Sequence, residues 1–422
     1  MFLRTYRRSP QRRLLRLLIL FLSAAFFLDV LTILQQYREF SRNLLSHTYT
    51  ELSMLPTPAQ HQRIYICAQF WTSAAVIEEH WGAALLDLIA TLGVENVYVS
   101  IYESGSLDNT KDVLQYLEQM LAERNVRRTV VLDPTTHADE INAGPLDEQG
   151  NPRSGWIQTT SAYSGKEMRR IPYLARLRNL SLKPLLDEQS KGRTYDKILF
   201  LNDVFFTPSD VLTLLATNQG SYAAACALDF HYPPAYYDTF ALRDSNGSST
   251  IMTKFPYFRS EDSRKAILQG KATKVRSCWN GMILMDTAAF YDGLRFRAIS
   301  DSLASKHMEG SECCLIHADL SAMGAATKGI YVNPAVRVGY TTRAYNLTHS
   351  GPEKNFVSLA RYLTGVWTNR AYRTVSNEAS DTKIVRSKVE RWKKEGVNSL
   401  EKRDERGLMC LIDEMHILIW NG

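Results

Sequence analysis

The residues best placed to do chemistry are Asn202 and Asp203, which follow the apolar run Ile198-Leu199-Phe200-Leu201. A run of this kind bounded by polar residues reads as a fully buried strand of a parallel sheet. Ligands of open α/β sheets sit just past the carboxyl ends of such strands. A carboxylate there can hold a hard divalent cation, and the cation can hold a diphosphate. The same pair also suits a plain strand-to-turn junction, where Asn and Asp cap the next element.

Other polar groups recur beside expected element ends. Glu103-Ser104-Gly105-Ser106-Leu107-Asp108-Asn109-Thr110 places an acid after a strand, then a glycine turn, then an Asp before a helix. The acid can accept from base or ribose, and a helix N-terminus favours anions, although Ser-x-Asp before a helix is also ordinary capping. Arg169, Arg170, Arg176 and Arg178 lie on one expected helix upstream of Asp203 and can grip a diphosphate bidentately. For Arg169 and Arg176 a solvated basic face fits equally well. Leu228-Asp229-Phe230-His231-Tyr232 and Tyr237-Asp238-Thr239-Phe240-Ala241-Leu242-Arg243-Asp244 set carboxylates beside rings. Sugar sites use this mix: rings cover the apolar sugar face and carboxylates accept from hydroxyls. The segment Ser311–Leu320 reads as a helix with Glu312 and Asp319 on one face and His317 off it. His317 is either a metal ligand or a packed core residue.

The elements that must position these groups alternate. Strands are expected at Ile64–Ala68, Asn96–Tyr102, Thr129–Leu132 and from Lys197, with helices near Val76–Leu92, Asn109–Arg124, 169–190 and 208–217. Alternating strand and helix argues for a parallel α/β sheet. Between them, 133–165 reads as loop-rich, and a further helix is expected near Thr382–Lys394. No internal repeat is present.

Residues 1–16 carry six arginines and no acid, and an apolar stretch from Leu14 to Leu34 follows, broken by Arg16 and Asp29. About 20 apolar residues span a bilayer. Positive charge ahead of the span places the N-terminus in the cytosol. With no Ala-x-Ala-like site after it, the segment reads as an uncleaved signal anchor; a cleaved signal peptide and an amphipathic surface helix are the alternatives. The expected organisation is a cytosolic tail (1–13), a transmembrane anchor (14–34), a stem (35–62), a catalytic domain (63–372) and a charged helical extension (373–422). The chain has 50 Lys+Arg against 44 Asp+Glu, and the basic excess equals the tail's arginines. The globular part is therefore balanced, which gives no support to a nucleic-acid partner. All six cysteines follow the span, on the side where disulfides persist. Sequons occur at Asn179, Asn246 and Asn346; if Arg178 faces a donor, Asn179 is too buried to carry a glycan. P-loop, nucleophile-elbow and His-Glu-x-x-His motifs are absent from the sequence.

Ile-Tyr-Glu-Ser-Gly-Ser-x-Asp-Asn-Thr, Leu-Ala-x-Leu-Arg-Asn, Phe-Leu-Asn-Asp-Val, Tyr-Asp-Thr-Phe-Ala-Leu-Arg-Asp, Cys-Trp-Asn-Gly and Ser-Glu-Cys occur in that order between residues 63 and 340. Together they resemble the fungal cryptococcal-type α-1,3-mannosyltransferases of glycosyltransferase family 69, a family associated with capsule and surface polysaccharide. The resemblance implies a type II Golgi membrane protein with a luminal catalytic domain. It implies a GT-A-like fold, a mixed, mostly parallel sheet flanked by helices. It also implies a GDP-mannose donor, a mannose-containing glycan acceptor and a divalent cation, Mn2+ or Mg2+. Asn202-Asp203 falls at the family's metal-diphosphate position, with Asn where an Asp is usual. On this footing Asp203 holds the cation with help from another element, His317 being the candidate. Asn202 and Arg178 face the diphosphate, and Glu103 and Asp108 hold the nucleoside. Asp244, Trp279, Asn280 and Glu312 shape the sugar and acceptor site, with Glu312 and Asp244 as catalytic carboxylates. An α-donor giving an α-mannoside means retention, by a covalent carboxylate intermediate or by front-face attack. The competing expectations are a catalytically silent member that assists polysaccharide assembly or export, and a different enzyme such as a sugar-nucleotide hydrolase.

Overall fold

The computed structural model describes residues 10–46, 52–159, 165–349, 356–376, 379–396 and 403–420. Helix α1 spans Pro10–Ser46. The alternating units then follow as β1 (Ile64–Phe70), a helical stretch from Ala74 ending in α2 (Gly82–Leu92), β2 (Val97–Ser104), α3 (Thr110–Glu123) and β3 (Arg127–Asp133). The expected loop at 133–165 contains α4 (His137–Asn142) and one strand, β4 (Trp156–Gln158), of a small hairpin closed by β5 (Lys166–Met168). Next come α5 (Arg170–Ser190), β6 (Lys197–Leu201), α6 (Pro208–Leu215), β7 (Ala224–Phe230), β8 (Arg243–Asp244), α7 (Glu261–Leu268), β9 (Thr273–Ser277) and β10 (Met282–Asp286). The chain closes with β11 (Glu309–Gly310), α8 (Glu312–Ala322), β12 (Ile330–Gly339), α9 (Thr342–His349), α10 (Leu359–Val375), α11 (Ala379–Glu395) and β13 (Leu411–Ile412).

Nine strands form one sheet in the order β3-β2-β1-β6-β10-β7-β12-β9-β8. Strands β3, β2, β1 and β6 are parallel, as are β7 and β12, while β10 runs antiparallel between β6 and β7. The expected mixed, mostly parallel sheet flanked by helices is therefore the observed architecture. Strand order reverses at β1, whose neighbours are β2 on one side and β6 on the other, so a crevice opens at the carboxyl ends of these three strands. Strand β1 is buried on both faces because its residues alternate between two cores. Ile64, Ile66 and Ala68 pack with α2, α3 and α6, whereas Tyr65 and Cys67 pack with Ala175, Leu182 and Leu185 of α5.

Two boundaries differ from expectation. The polar stretch after residue 34 begins as helix, not as a free stem: α1 runs on to Ser46, and Phe40 and Leu44 bury against Phe255, Phe356 and Tyr362. Asp29 is matched by Arg370 Nη1 at 2.7 Å and Trp367 Nε1 at 3.0 Å on α10. The N-terminal half, from Leu14 to Leu28, exposes its apolar side chains, and Arg13–Ser46 contains an 18-residue stretch of mean hydropathy 2.6, long and apolar enough to cross a membrane. The second difference lies at the other end. Residues beyond 373 are integrated with the fold: Val385, Val389 and Trp392 share a core with Leu303, Met308, Cys314 and Cys410, and β13 pairs with β11. Disulfides join Cys226 to Cys278 and Cys314 to Cys410.

Candidate functional site

The carboxyl end of β6 delivers Asn202 and Asp203 into the crevice. The Asn202 carbonyl accepts from Trp81 Nε1 at 3.0 Å, and its Oδ1 accepts from Trp279 Nε1 at 3.2 Å. Asn202 thus fixes the Trp279 indole, leaving Asp203 as the acid of the pair. Asp203 Oδ2 accepts from Ser73 Oγ at 3.2 Å, and burial raises its pKa above the usual carboxylate range.

Arg178 approaches from α5. Its Nε donates to Glu312 Oε1 at 3.0 Å, and its guanidinium centre lies 4.2 Å from the Trp279 ring centroid. Stacking on an aromatic face while donating to a carboxylate suits the planar guanidinium and would not suit Lys. Glu312 opens α8, where a negative charge complements the helix dipole. Trp279 sits on a turn that needs glycine: Asn280 and Gly281 have φ of 58° and 74°, and a Cβ on Gly281 would lie 3.1 Å from Val204 and Val338.

Asn202, Asp203 and Arg178 border a cavity of about 340 Å³, while Trp279 and Glu312 are buried behind them and hold Arg178 and Asn202 in place. Asp203, Asn202, Arg178 and Arg170 supply one charged side, and Phe70, Trp71, Tyr173 and Leu174 an apolar one. The Trp71 and His137 rings stack at 4.6 Å, and burial pulls the His137 pKa down. Trp71 Nε1 and His137 Nδ1 are buried without a hydrogen-bond partner, which is costly for a protein acting alone. A larger hollow of about 680 Å³ along the outer side of α5, bordered by Arg176, Lys183 and Asp301, includes no strand end.

A second polar group lies at the carboxyl end of β7. Asp229 Oδ1 accepts from the Asp238 N–H at 3.1 Å, and Oδ2 accepts from the Tyr340 hydroxyl at 3.0 Å. Asp238 Oδ2 accepts from the Asn280 N–H at 3.1 Å, which ties this pair to the Trp279 turn. Burial, then the neighbouring Asp238 carboxylate, raises the Asp229 pKa. His231, Tyr232, Tyr237 and Tyr340 cluster beside it, with Tyr232 79% and Tyr237 55% exposed.

The structure thus brings Arg178, Asn202, Asp203, Trp279, Asn280 and Glu312 together. Of these, Arg178, Asn202 and Asp203 line the cavity and Trp279, Asn280 and Glu312 are buried behind it; the other candidates lie elsewhere. Glu103 is fully buried, accepts from the Ser106 N–H and pairs with Lys111 at 2.9 Å; Ser104 lines the cavity in its place. Asp108 accepts from the Ala74 and Thr110 N–H groups and so caps the loop into α3. Gly105 of that loop has φ 63° and lies so close to Thr135 that no Cβ fits. Asp244 sits on the edge strand β8, far across the sheet from β6, and its carboxylate accepts from three backbone N–H groups, those of Asn246, Ser248 and Ser260. It organises a turn. His317 is fully buried, its Nε2 donates to the Cys278 carbonyl at 2.7 Å, and burial pushes its pKa down to about 4. Among the described residues no group of three His, Cys, Asp or Glu side chains is arranged to hold a metal ion, so His317 does not complete a shell for Asp203.

Arg169 is also spoken for: it is fully buried, with Glu309 at 2.6 Å and Asp301 at 2.7 Å. Asn179 uses its amide in both directions with the Phe296 backbone, at 2.8 and 3.0 Å, which a glycan would break. Sequence patterns give no place to Trp71, Ser73, His137 or the tail residues Ile417–Ile419, all of which border the cavity. The run Met415–Trp420 is visibly apolar, but nothing in it signals a destination.

A nine-stranded α/β sheet thus carries an acid, an arginine and stacked rings at its switch point, and the chain is a glycosyltransferase. The model of the family described as cryptococcal mannosyltransferase 1 matches residues 63–319, and the chain belongs to that family. Among solved structures it resembles the mannosyltransferase PcManGT of Pyrobaculum calidifontis, solved with GDP-Man and Mn2+, at 12% identity and TM-score 0.37, over 85% of this chain and 75% of that one. It also resembles residues 1–349 of S. aureus TarS at 12% identity and TM-score 0.34, over 81% of this chain and 75% of that one. A third is the M. tuberculosis glucosyl-3-phosphoglycerate synthase, at 12% identity and TM-score 0.31, over 79% and 88%. At these values residue roles do not transfer. No curated protein matches the sequence.

Proposed function

We propose that the chain transfers mannose from GDP-mannose to a mannoside or polysaccharide acceptor, forming an α-1,3 linkage with retention and with help from Mn2+ or Mg2+. The observation that carries this reading is the meeting of Asp203, Arg178, Trp279 and Glu312 at the carboxyl ends of the central strands. Family membership supplies the sugar class.

A cation fits Asp203 on the chemistry of the donors. The half-buried carboxylate opens on a cavity that Arg170 and Arg178 also line, and small divalent ions are commonly held by one or two carboxylates with substrate phosphates and water completing the shell. When bound, such an ion acts as a Lewis acid on the diphosphate. Arg178 and Arg170 add positive charge where the leaving phosphate gains negative charge. Trp71, with its orphan N–H, holds the nucleoside end. Trp279 and the Glu312 carboxylate, buried behind the lining, hold the Arg178 guanidinium toward the cavity. The Asp229–Asp238 pair and the exposed Tyr232 and Tyr237 receive the acceptor. Helix α1 serves as a signal anchor in the Golgi membrane with the catalytic domain in the lumen. The six N-terminal arginines and two disulfides support that orientation.

The test uses the full chain in detergent with labelled nucleotide sugars, an α-mannobiose acceptor, and manganese or a chelator. Manganese-dependent transfer from GDP-mannose alone, giving an α-1,3 product, is expected. A folded chain that binds GDP but transfers nothing to any acceptor offered would point to the silent assembly role.

A further inference from the structure

We infer that the C-terminal segment Met415–Trp420 is a wall of the donor pocket that grips the nucleoside end of the sugar nucleotide. Donor affinity then depends on residues well outside the family-matched region. The inference rests on the reading of the Asp203 cavity as the donor site.

The segment is fastened at its base and along its length. Cys410 is bonded to Cys314 of α8, the helix that begins with Glu312, and β13 pairs with β11 immediately after it. The chain then crosses to α5. The Arg170 N–H donates to the His416 carbonyl at 2.8 Å, and the Leu418 N–H donates to the Met168 carbonyl at 2.8 Å. Arg169, which bridges Ile417, is itself locked by Glu309 of β11. One buried ion pair therefore fixes the start of α5, the strand that seats the tail, and the tail.

Ile417, Leu418 and Ile419 complete the cavity lining. Leu418 is buried among Tyr102, Tyr173 and Leu177, so the wall is packed in place. Ile419 is 57% exposed, and its backbone acts on His137, whose ring stacks on Trp71. The cavity accordingly has two poles. Asp203, Arg170 and Arg178 suit a diphosphate. Trp71, Tyr173 and the tail suit a planar base, with the Trp71 and His137 nitrogens left to meet its polar edge.

The experiment titrates the full-length protein in detergent with GDP, and separately with inorganic pyrophosphate, both with manganese. Five proteins are compared: wild type, a chain ending at Glu414, Ile419→Glu, Trp71→Ala and Asp203→Ala. Ending at Glu414 should weaken GDP by about tenfold or more, the scale of losing one buried aliphatic contact. Ile419→Glu, at an exposed position that folding tolerates, should weaken GDP by at least about threefold. Pyrophosphate, which lacks the nucleoside, should bind all tail variants as it binds wild type. Unchanged GDP affinity in both tail variants overturns the inference, and so does an equal loss of GDP and pyrophosphate, which would mean general damage. If Trp71→Ala and Asp203→Ala also bind GDP normally, it is the donor-site reading that fails.

Discussion

Burial holds the Asp203 carboxyl above its usual range, and a cation with its diphosphate reverses that cost. A proton and the cation therefore compete for one group. Manganese-dependent GDP binding should weaken as pH falls through the raised Asp203 pKa, and calorimetry across a pH series should show Asp203→Ala without that dependence. The same substitution should lower transfer by at least about 10²-fold while circular dichroism stays native. Arg178→Lys should lose a comparable factor in kcat, because ammonium cannot both stack on Trp279 and donate in plane to Glu312. Asp229 gives a stability prediction. Its folded pKa is raised by burial, so its contribution is present below the unfolded carboxylate pKa and is lost as pH rises through the folded value. Each tenfold difference in proton affinity between the folded and unfolded chain corresponds to about 1.4 kcal/mol. Wild-type melting temperature should decline over that window, and Asp229→Asn should flatten the decline; parallel pH profiles would refute it. At this scale the sequence was readable where type and position combine, as at Asp203 after an apolar strand or Arg178 on a helix leading to it. Glu103, Asp108 and Asp244 show the limit. Acids at strand and helix ends are equally apt to satisfy backbone N–H groups, and only the folded chain shows which partner each one takes.

The strands that carry the site were legible because buried parallel strands write themselves as unbroken apolar runs. β1, β2, β3 and β6 fall within a few residues of their expected places. β8, β11 and β13 have two residues each, too short for any period to show. The Trp279 turn is the element on which the site most depends. With φ 74° and neighbours at 3.1 Å, Gly281→Ala should destabilise the protein by about 1–3 kcal/mol and displace the indole that Asn202 and Arg178 hold. Thermal melts and donor KM should both shift; a normal KM would show that Trp279 does not position Asn202 and Arg178 for the donor. The tail was illegible for a different reason: its destination is set by long-range ties, the disulfide to Cys314 and the bridge to Arg169.

For the whole molecule, α1 is more than a tether. Its exposed half suits lipid, while Phe40 and Leu44 pack into the catalytic domain and Asp29 pairs with Arg370. The catalytic domain should therefore sit close to the bilayer. Sequence alone suggested a stem because residues 35–62 are polar on average; the few buried side chains follow a helical stripe within them. A chain beginning after residue 46 should expose the Phe255, Phe356 and Tyr362 surface and aggregate, whereas one beginning at Leu28 should remain monodisperse by light scattering. Every role given to the cavity depends on where the donor binds. The most direct measurement is a structure of the full chain with GDP-mannose and manganese. The diphosphate should lie against Asp203, Arg170 and Arg178, with the guanosine between Trp71 and Ile417–Ile419. Density for the nucleotide in the hollow along α5, or anywhere beyond contact with Asp203, would contradict it.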